Sequence, residues 1–319
     1  MIRKISYFDC DSLMVLHQSI RTLESEINLN PHIRVFSLNL TKVIFNDLHC
    51  QVLLKAWVQD LAIRHPYLKF FGSYGVNHPN LFTFQEIGLL SLLPMELKGN
   101  KTVEEAFDQK QRLVSFSASE GQRVPSLVPF AAFSVVKLLD APYSTSIIKK
   151  NHLMVAINEA LLNVKQWAYN SISVENDQQQ WWLVASLNSY NDKLQVIVYD
   201  LGFSLVSQFK KQHVNKSSLL RSQLKVNLKS PDCDLIHAAL LMGEDKYRGN
   251  IVKSGRRRGL KQMKELPKYF KEGNFVIRSG SGACALKNST VNNLLDNTIM
   301  KYSLTTYIPG TMVSWEIQL

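Results

Sequence analysis

Long hydrophobic runs are missing from this chain of 319 residues. The longest apolar stretch, residues 124–139, is broken by Pro125, Pro129 and Lys137, and falls short of the roughly 20 residues that a spanning helix needs. The N-terminus turns acidic at Asp9 before a signal-peptide core could form. A cytoplasmic protein with no membrane partner is the expectation. Cysteine is scarce too: Cys10, Cys50, Cys233 and Cys284 stand far apart, without the Cys-x-x-Cys or Cys/His clustering of a metal or redox site, so buried free thiols are expected. The eight histidines include no His-x-x-x-His or His-Glu-x-x-His pair, which excludes the common zinc hydrolase pattern. Ser281, within Gly280-Ser281-Gly282, lacks the Gly-x-Ser-x-Gly elbow of a serine hydrolase. No repeat or low-complexity segment is visible.

What is present is ordinary globular material, 45% hydrophobic and 20% charged, and long enough for two domains. The formal net charge of +11 speaks of attraction to polyanions and not of fold. It fits a nucleotide, a nucleic acid or an acidic protein partner.

In the first half, Leu13, Leu16, Ile20, Leu23 and Ile27 recur at spacings of three and four, which predicts an amphipathic helix over 11–28 capped by Asp11 or Ser12. Residues 33–45 read as strand and Asn46 as the cap of a helix over 48–64 that stops before Pro66; residues 67–71 read as a second strand. Such a unit predicts a smaller α/β domain over residues 1–140, and the turn-rich Asp140-Ala141-Pro142-Tyr143-Ser144 is the expected boundary. In the second half, 147–169 reads as helix, 181–187 with 194–199 as a hairpin, 259–266 as helix, and 312–318 as a half-buried strand. Residues 274–278 and 283–286 flank Ser279-Gly280-Ser281-Gly282, a further hairpin signal. The pair Trp181/Trp182 is expected to put one ring in the core and the other on a partner surface.

Three patterns in this half carry chemistry. Glu159 and Asn163 stand at i and i+4, on one face of a helix otherwise apolar at Leu153, Met154, Ile157, Ala160, Leu161 and Val164. The spacing alone decides little, since Glu24/Asn28 and Glu26/Asn30 repeat it as plain solvated pairs. Asp200-Leu201-Gly202 closes the hairpin and can be read by itself as an exit turn. Ser254-Gly255-Arg256-Arg257-Arg258-Gly259-Leu260 opens another helix and can be read by itself as a basic loop. Their order, however, resembles the GHKL ATPase family, which includes sensor histidine kinases, gyrase B subunits, mismatch-repair ATPases and anti-sigma-factor kinases. The N-terminal unit faintly resembles the STAS domains that accompany anti-sigma kinases. Its strand-helix junction, Phe45-Asn46-Asp47-Leu48, offers no serine for the STAS switch.

The resemblance implies an α+β class: a GHKL two-layer sandwich over residues 141–319, with helices on one face of a mixed sheet and a lid over about 203–253, preceded by the smaller α/β domain. It implies ATP and Mg²⁺ as ligands of a bacterial regulatory protein. Asn163 would ligate Mg²⁺, and Glu159 would orient or deprotonate the attacking group, because phosphoryl transfer is mostly positioning and charge neutralisation. Asp200 and Gly202 would meet adenine, with Ser204 where a second glycine is expected. Gly255, Arg256, Arg258, Gly259 and Leu260 would meet the phosphates, Gly259 offering a helix N-terminus. ATP binding or hydrolysis would then order the lid and switch an interaction with a protein partner, with a homodimer also compatible. Two alternatives stand beside this: a serine protein kinase of anti-sigma type, and a degenerate scaffold or basic nucleic-acid binder using Lys210, Lys211, Lys216 and 256–258.

Overall fold

The computed structural model describes residues 2–5, 13–30, 32, 35–41, 43–45, 47–74, 78–93, 111–117, 124–139, 145–169, 180–213, 224–242, 258–289 and 299–319. The chain divides into two compact units, Met1–Ser115 and Phe116–Leu319. The expected boundary at 140–144 lies outside the described residues.

The first unit alternates strand and helix: β1 (Ile2–Ile5), α1 (Leu13–Leu29), β2 (Val35–Asn39), α2 (Leu48–Arg64) and β3 (Lys69–Ser73), then two short helices, α3 (Leu81–Glu86) and α4 (Leu89–Leu92). Its sheet has the order β1-β2-β3 and is parallel throughout, β2 pairing Val35 with Lys69 and Ile2 with Val35. Parallel neighbours require crossovers, and α1 and α2 supply them. The strand expected over 33–45 is shorter. Its apolar tail leaves the sheet as a buried loop in which Leu40, Val43 and Phe45 are packed, held by the Asn80 amide, which donates to Phe45 O and accepts from Phe45 N at 2.8 Å each. The cap of α2 is Asp47 in place of the expected Asn46: its Oδ1 accepts the His49 N–H at 2.9 Å.

The second unit contains α5 (Val124–Lys137), α6 (Ile147–Asn163) continued by a π-helical turn Val164–Ala168, the hairpin β5 (Trp181–Asn188) and β6 (Lys193–Asp200), then α7 (Leu205–His213), α8 (Asp232–Met242), α9 (Arg258–Glu265), a 3₁₀ turn Leu266–Tyr269, and the long strands β7 (Glu272–Ser289) and β8 (Ile299–Gln318). β4 (Gln111–Ser117) straddles the division, and the strands of the second unit lie in the order β5-β6-β8-β7 in one sheet. The class is α+β. The described pairs β5–β6, β6–β8 and β7–β8 are antiparallel, where a mixed sheet was expected.

Period-two alternation places Leu183, Val196, Val198, Ile277, Val313 and Trp315 on the sheet face under the helices. Trp315 fixes α9 there, its indole N–H donating to Met263 O at 2.9 Å. Trp181 and Trp182 are both buried, so neither ring faces a partner. The hairpin expected at Ser279–Gly282 is not a turn. Strand β7 runs through it with a bulge, its register against β8 shifting on both sides of Gly280. Asp232, at the start of α8, holds that bulge by accepting the Ser281 N–H at 2.9 Å. The three final strands foreseen are therefore two. Cys50, Cys233 and Cys284 are buried free thiols; Cys10 lies outside the described residues. No helix among the described residues is long and apolar enough to cross a membrane.

Candidate functional site

α6 starts at Ser146, whose hydroxyl accepts the Lys149 N–H at 3.4 Å, and buries Leu153, Ala156, Ile157, Ala160 and Leu161. Its π turn, a geometry that recurs at functional sites, leaves backbone carbonyls free for partners outside the helix. Trp167 O accepts the Gln208 side-chain amide at 2.7 Å, and Ala168 O accepts the Phe203 N–H at 2.7 Å. Both bonds reach the segment after β6, so α6 and α7 are clasped where β6 ends. Gly202 permits the clasp: a Cβ there would run into the Ala168 carbonyl, and its N–H donates to Asp200 Oδ1 at 3.0 Å.

Thr311 completes the other side. It pairs with Asp200 across β6–β8, and its Oγ1 accepts the Leu205 N–H at 2.9 Å, pinning the first residue of α7 to the sheet. Ser204 caps the same helix, accepting the Ser207 N–H at 3.1 Å. Its place after Asp200-Leu201-Gly202 is thus that of a buried cap, in keeping with serine's preference for helix starts. Within the expected lid, α7 and α8 are built into the body of the unit, α8 against β7 and β8. Lys216, one of the cations assigned to that lid, lies outside the described residues.

These elements line a cavity that opens to solvent, about 880 Å³ when the open space at its mouth is counted. Its walls are apolar: Val164 and Trp167 from α6, Phe203 and Phe209 from the α7 side, Leu260 and Met263 from α9, and Val198, Ile277 and Val313 from the sheet. Among the polar groups lining it are Asp200, Thr311, Asn163 and the buried His213. Asp200 is 3% exposed. Burial pushes its carboxyl up to about 8, against the smaller opposing pull of backbone hydrogen bonds from Gly202 and Thr311. The neutral acid, able both to donate and to accept, is the major form at pH 7. Asn163 turns its Nδ2 into buried space without a hydrogen-bond partner among the described residues. Since an amide can flip, that position offers either a donor or an acceptor.

Of the residues singled out in the sequence, Asn163, Asp200 and Leu260 line one cavity. Glu159 and Gly259 meet each other: a Cβ on Gly259 would fall 2.5 Å from Glu159 Oε2. Burial raises the Glu159 carboxyl above its usual range. Gly202 and Ser204 shape the walls. Gly255 and Arg256 lie outside the described residues, and Arg258 begins α9. Sequence reasoning missed Thr311 and the wall from Phe203 to His213; the only available signal was the alternation in β8, which sets Thr311 on the face of Val313. Among the described residues no cluster of three or more His, Cys, Asp or Glu is arranged to hold a metal. Mg²⁺ does not need one, since it is commonly bound by one or two protein oxygens together with phosphates and water. The orphaned Asn163 amide fits that minimal donor set. No protein-family model matches the chain, and no curated protein is significantly similar to it.

Proposed function

We propose that this chain is a GHKL-type ATP-binding regulatory protein in which the cavity takes the adenine base. The observation that carries the reading is Asp200, a carboxyl 3% exposed on the wall of a cavity lined mainly by apolar side chains. Beside the backbone hydrogen bonds it takes from Gly202 and Thr311, Asp200 keeps hydrogen-bonding capacity for a ligand in the cavity it lines. It suits a flat heterocycle that presents an amino group beside a ring nitrogen: the amine donates to one oxygen, and the neutral acid donates to the ring nitrogen. Trp167 and Phe203 supply apolar surface for the base. Asn163 would hold Mg²⁺ with the nucleotide, and the ion would supply charge neutralisation for the phosphates. Gly259 keeps the start of α9 close to Glu159, so the proposed catalytic carboxylate and the helix N-terminus favoured by phosphates stand together. In this reading nucleotide occupancy changes the α6–α7 clasp and so the surface offered to a protein partner. Transfer to a partner's serine, as in anti-sigma-type kinases, differs only in the acceptor. The nucleic-acid alternative is weakened by Lys210, which it would use and which pairs with Asp232 at 3.1 Å.

Calorimetric titration with ATP, with and without Mg²⁺, tests the reading. Wild-type protein should bind, and Mg²⁺ should tighten binding. Asn163→Ala should lose the Mg²⁺ effect and about tenfold in affinity, or ~1.4 kcal/mol. Absence of heat at millimolar ATP, or identical titrations for the two proteins, overturns it. Gly259→Ala separates binding from chemistry. The new methyl would fall 2.5 Å from Glu159 Oε2, the end of a flexible side chain, and in ordinary contact at 3.4 Å with Glu159 Cβ, so the fold and ATP affinity should survive while ATP hydrolysis or phosphotransfer falls about 100-fold, the low end of a general base's contribution.

A further inference from the structure

Two helices of the second unit carry large apolar side chains on their outward sides. On α5, Phe130 and Phe133 are 59% and 49% exposed, while Ala131, Ala132, Val135 and Val136 are buried. The helix thus packs one face and leaves two rings exposed at a spacing of three, Phe130 meeting Phe116 edge-on with ring centres 5.8 Å apart. One turn on, the Lys137 ammonium lies over the Phe133 ring, 4.9 Å from its centre. α6 packs against α5 and opens with Ile147 and Ile148, 69% and 63% exposed. Lys149 follows, its ammonium 5.4 Å from the Phe270 ring centre. From residue 124 to residue 158 the sequence contains one acid, Asp140.

A single exposed apolar residue needs no explanation, but four large ones flanked by cations do. A second copy of the chain is a poor occupant, because a two-fold contact would bring Lys137 and Lys149 towards their own copies. A protein partner would have to bring a matching recess for each of four side chains spread over two helices. A lipid headgroup layer accepts projecting apolar groups without a pre-cut recess, and its anionic form attracts the adjoining lysines. We propose that α5 and the first turn of α6 dock the protein on an anionic bilayer, with Phe130, Phe133, Ile147 and Ile148 entering the headgroup layer and Lys137 and Lys149 facing lipid phosphates. The chain's net charge of +11 assists the approach. That no helix among the described residues is long and apolar enough to cross a membrane concerns spanning; docking on the surface requires none.

Co-sedimentation with two kinds of vesicle tests this: phosphatidylcholine alone, and equal parts phosphatidylcholine and phosphatidylglycerol. Wild-type protein should bind the anionic vesicles at least about tenfold more tightly than the neutral ones. The double variant Phe130→Ser/Phe133→Ser should lose about tenfold on the anionic vesicles. Thermal melting checks its fold; if it melts early, Ile147→Ser/Ile148→Ser serves instead. Tyr190→Ser, at an exposed tyrosine in the β5–β6 turn, should bind as wild type does. Failure of the wild type to bind anionic vesicles overturns the proposal and makes an acidic protein helix the occupant. Undiminished binding by the folded variants, or an equal loss with Tyr190→Ser, overturns it as well.

Discussion

Asp200→Asn is expected to remove a fall in stability that the wild type suffers as pH rises. The Asp200 carboxyl stands at about 8 in the fold against 3.8 as the ordinary value, because burial penalises the charged form. Between those limits the folded chain holds a proton that the unfolded chain has released. The native state binds more protons there, so this group's contribution is fully present below about pH 4 and is lost as pH rises towards about 8, by up to ~1.4 kcal/mol per pH unit, after which the loss levels off. Asparagine keeps a donor and an acceptor at the site and cannot ionise. Urea unfolding at pH 5, 7 and 9 should show the wild type losing stability relative to the variant between pH 5 and 7, with less further loss by pH 9. Parallel pH profiles for the two proteins would mean that the carboxylate is ionised in the fold and stabilised there, against this account. The same site predicts a binding result: Asp200→Ala should weaken ATP about 100-fold.

The residues that proved legible in the sequence were those whose signals are local. Helix α2 runs over the expected Leu48–Arg64 because a capping residue precedes it and the restriction before Pro66 follows it. The β5–β6 hairpin emerged from two apolar runs and a turn-rich loop. Asn163, Asp200 and Leu260, picked from three separate motifs, line one cavity. What stayed hidden depends on partners distant in the chain. Gly280-Ser281-Gly282 has the local chemistry of a turn, yet it is a bulge because Asp232 takes the Ser281 N–H from across the fold. Leu40, Val43 and Phe45 look like strand residues because they are buried, and burial in a loop leaves the same apolar pattern in sequence. Thr311 enters the site only through the register of β8 against β6, and that register is set by the packing of the whole sheet. Strand β1, Ile2–Ile5, is too short for periodicity to reveal it.

Gly310→Ala is expected to be the most damaging single substitution among the glycines around the site. Gly310 has a φ of +70°, in the left-handed region that costs an ordinary residue about 1–2 kcal/mol. Space adds a second cost, because a Cβ there would fall on the Asp200 carbonyl oxygen and 2.9 Å from the Leu201 Cα. Both obstacles are backbone, so they yield only if β8 moves away from the end of β6. That movement would draw away the adjoining Thr311, which anchors α7 through the Leu205 N–H, and break the bond in which Ser279 Oγ donates to Gly310 O at 3.1 Å. Together the two costs should reach ~3 kcal/mol or more, the upper part of the range for overpacking. Gly259→Ala is the fitting comparison, since its methyl meets the movable carboxylate of Glu159 and should cost less than ~1 kcal/mol. Urea midpoints for both variants decide the matter. If Gly310→Ala lies within ~1 kcal/mol of Gly259→Ala, the β6–β8 approach at Asp200 is looser than described. If Gly310→Ala is strongly destabilised, saturating ATP should recover little of the loss, because the displaced strand carries one wall of the cavity.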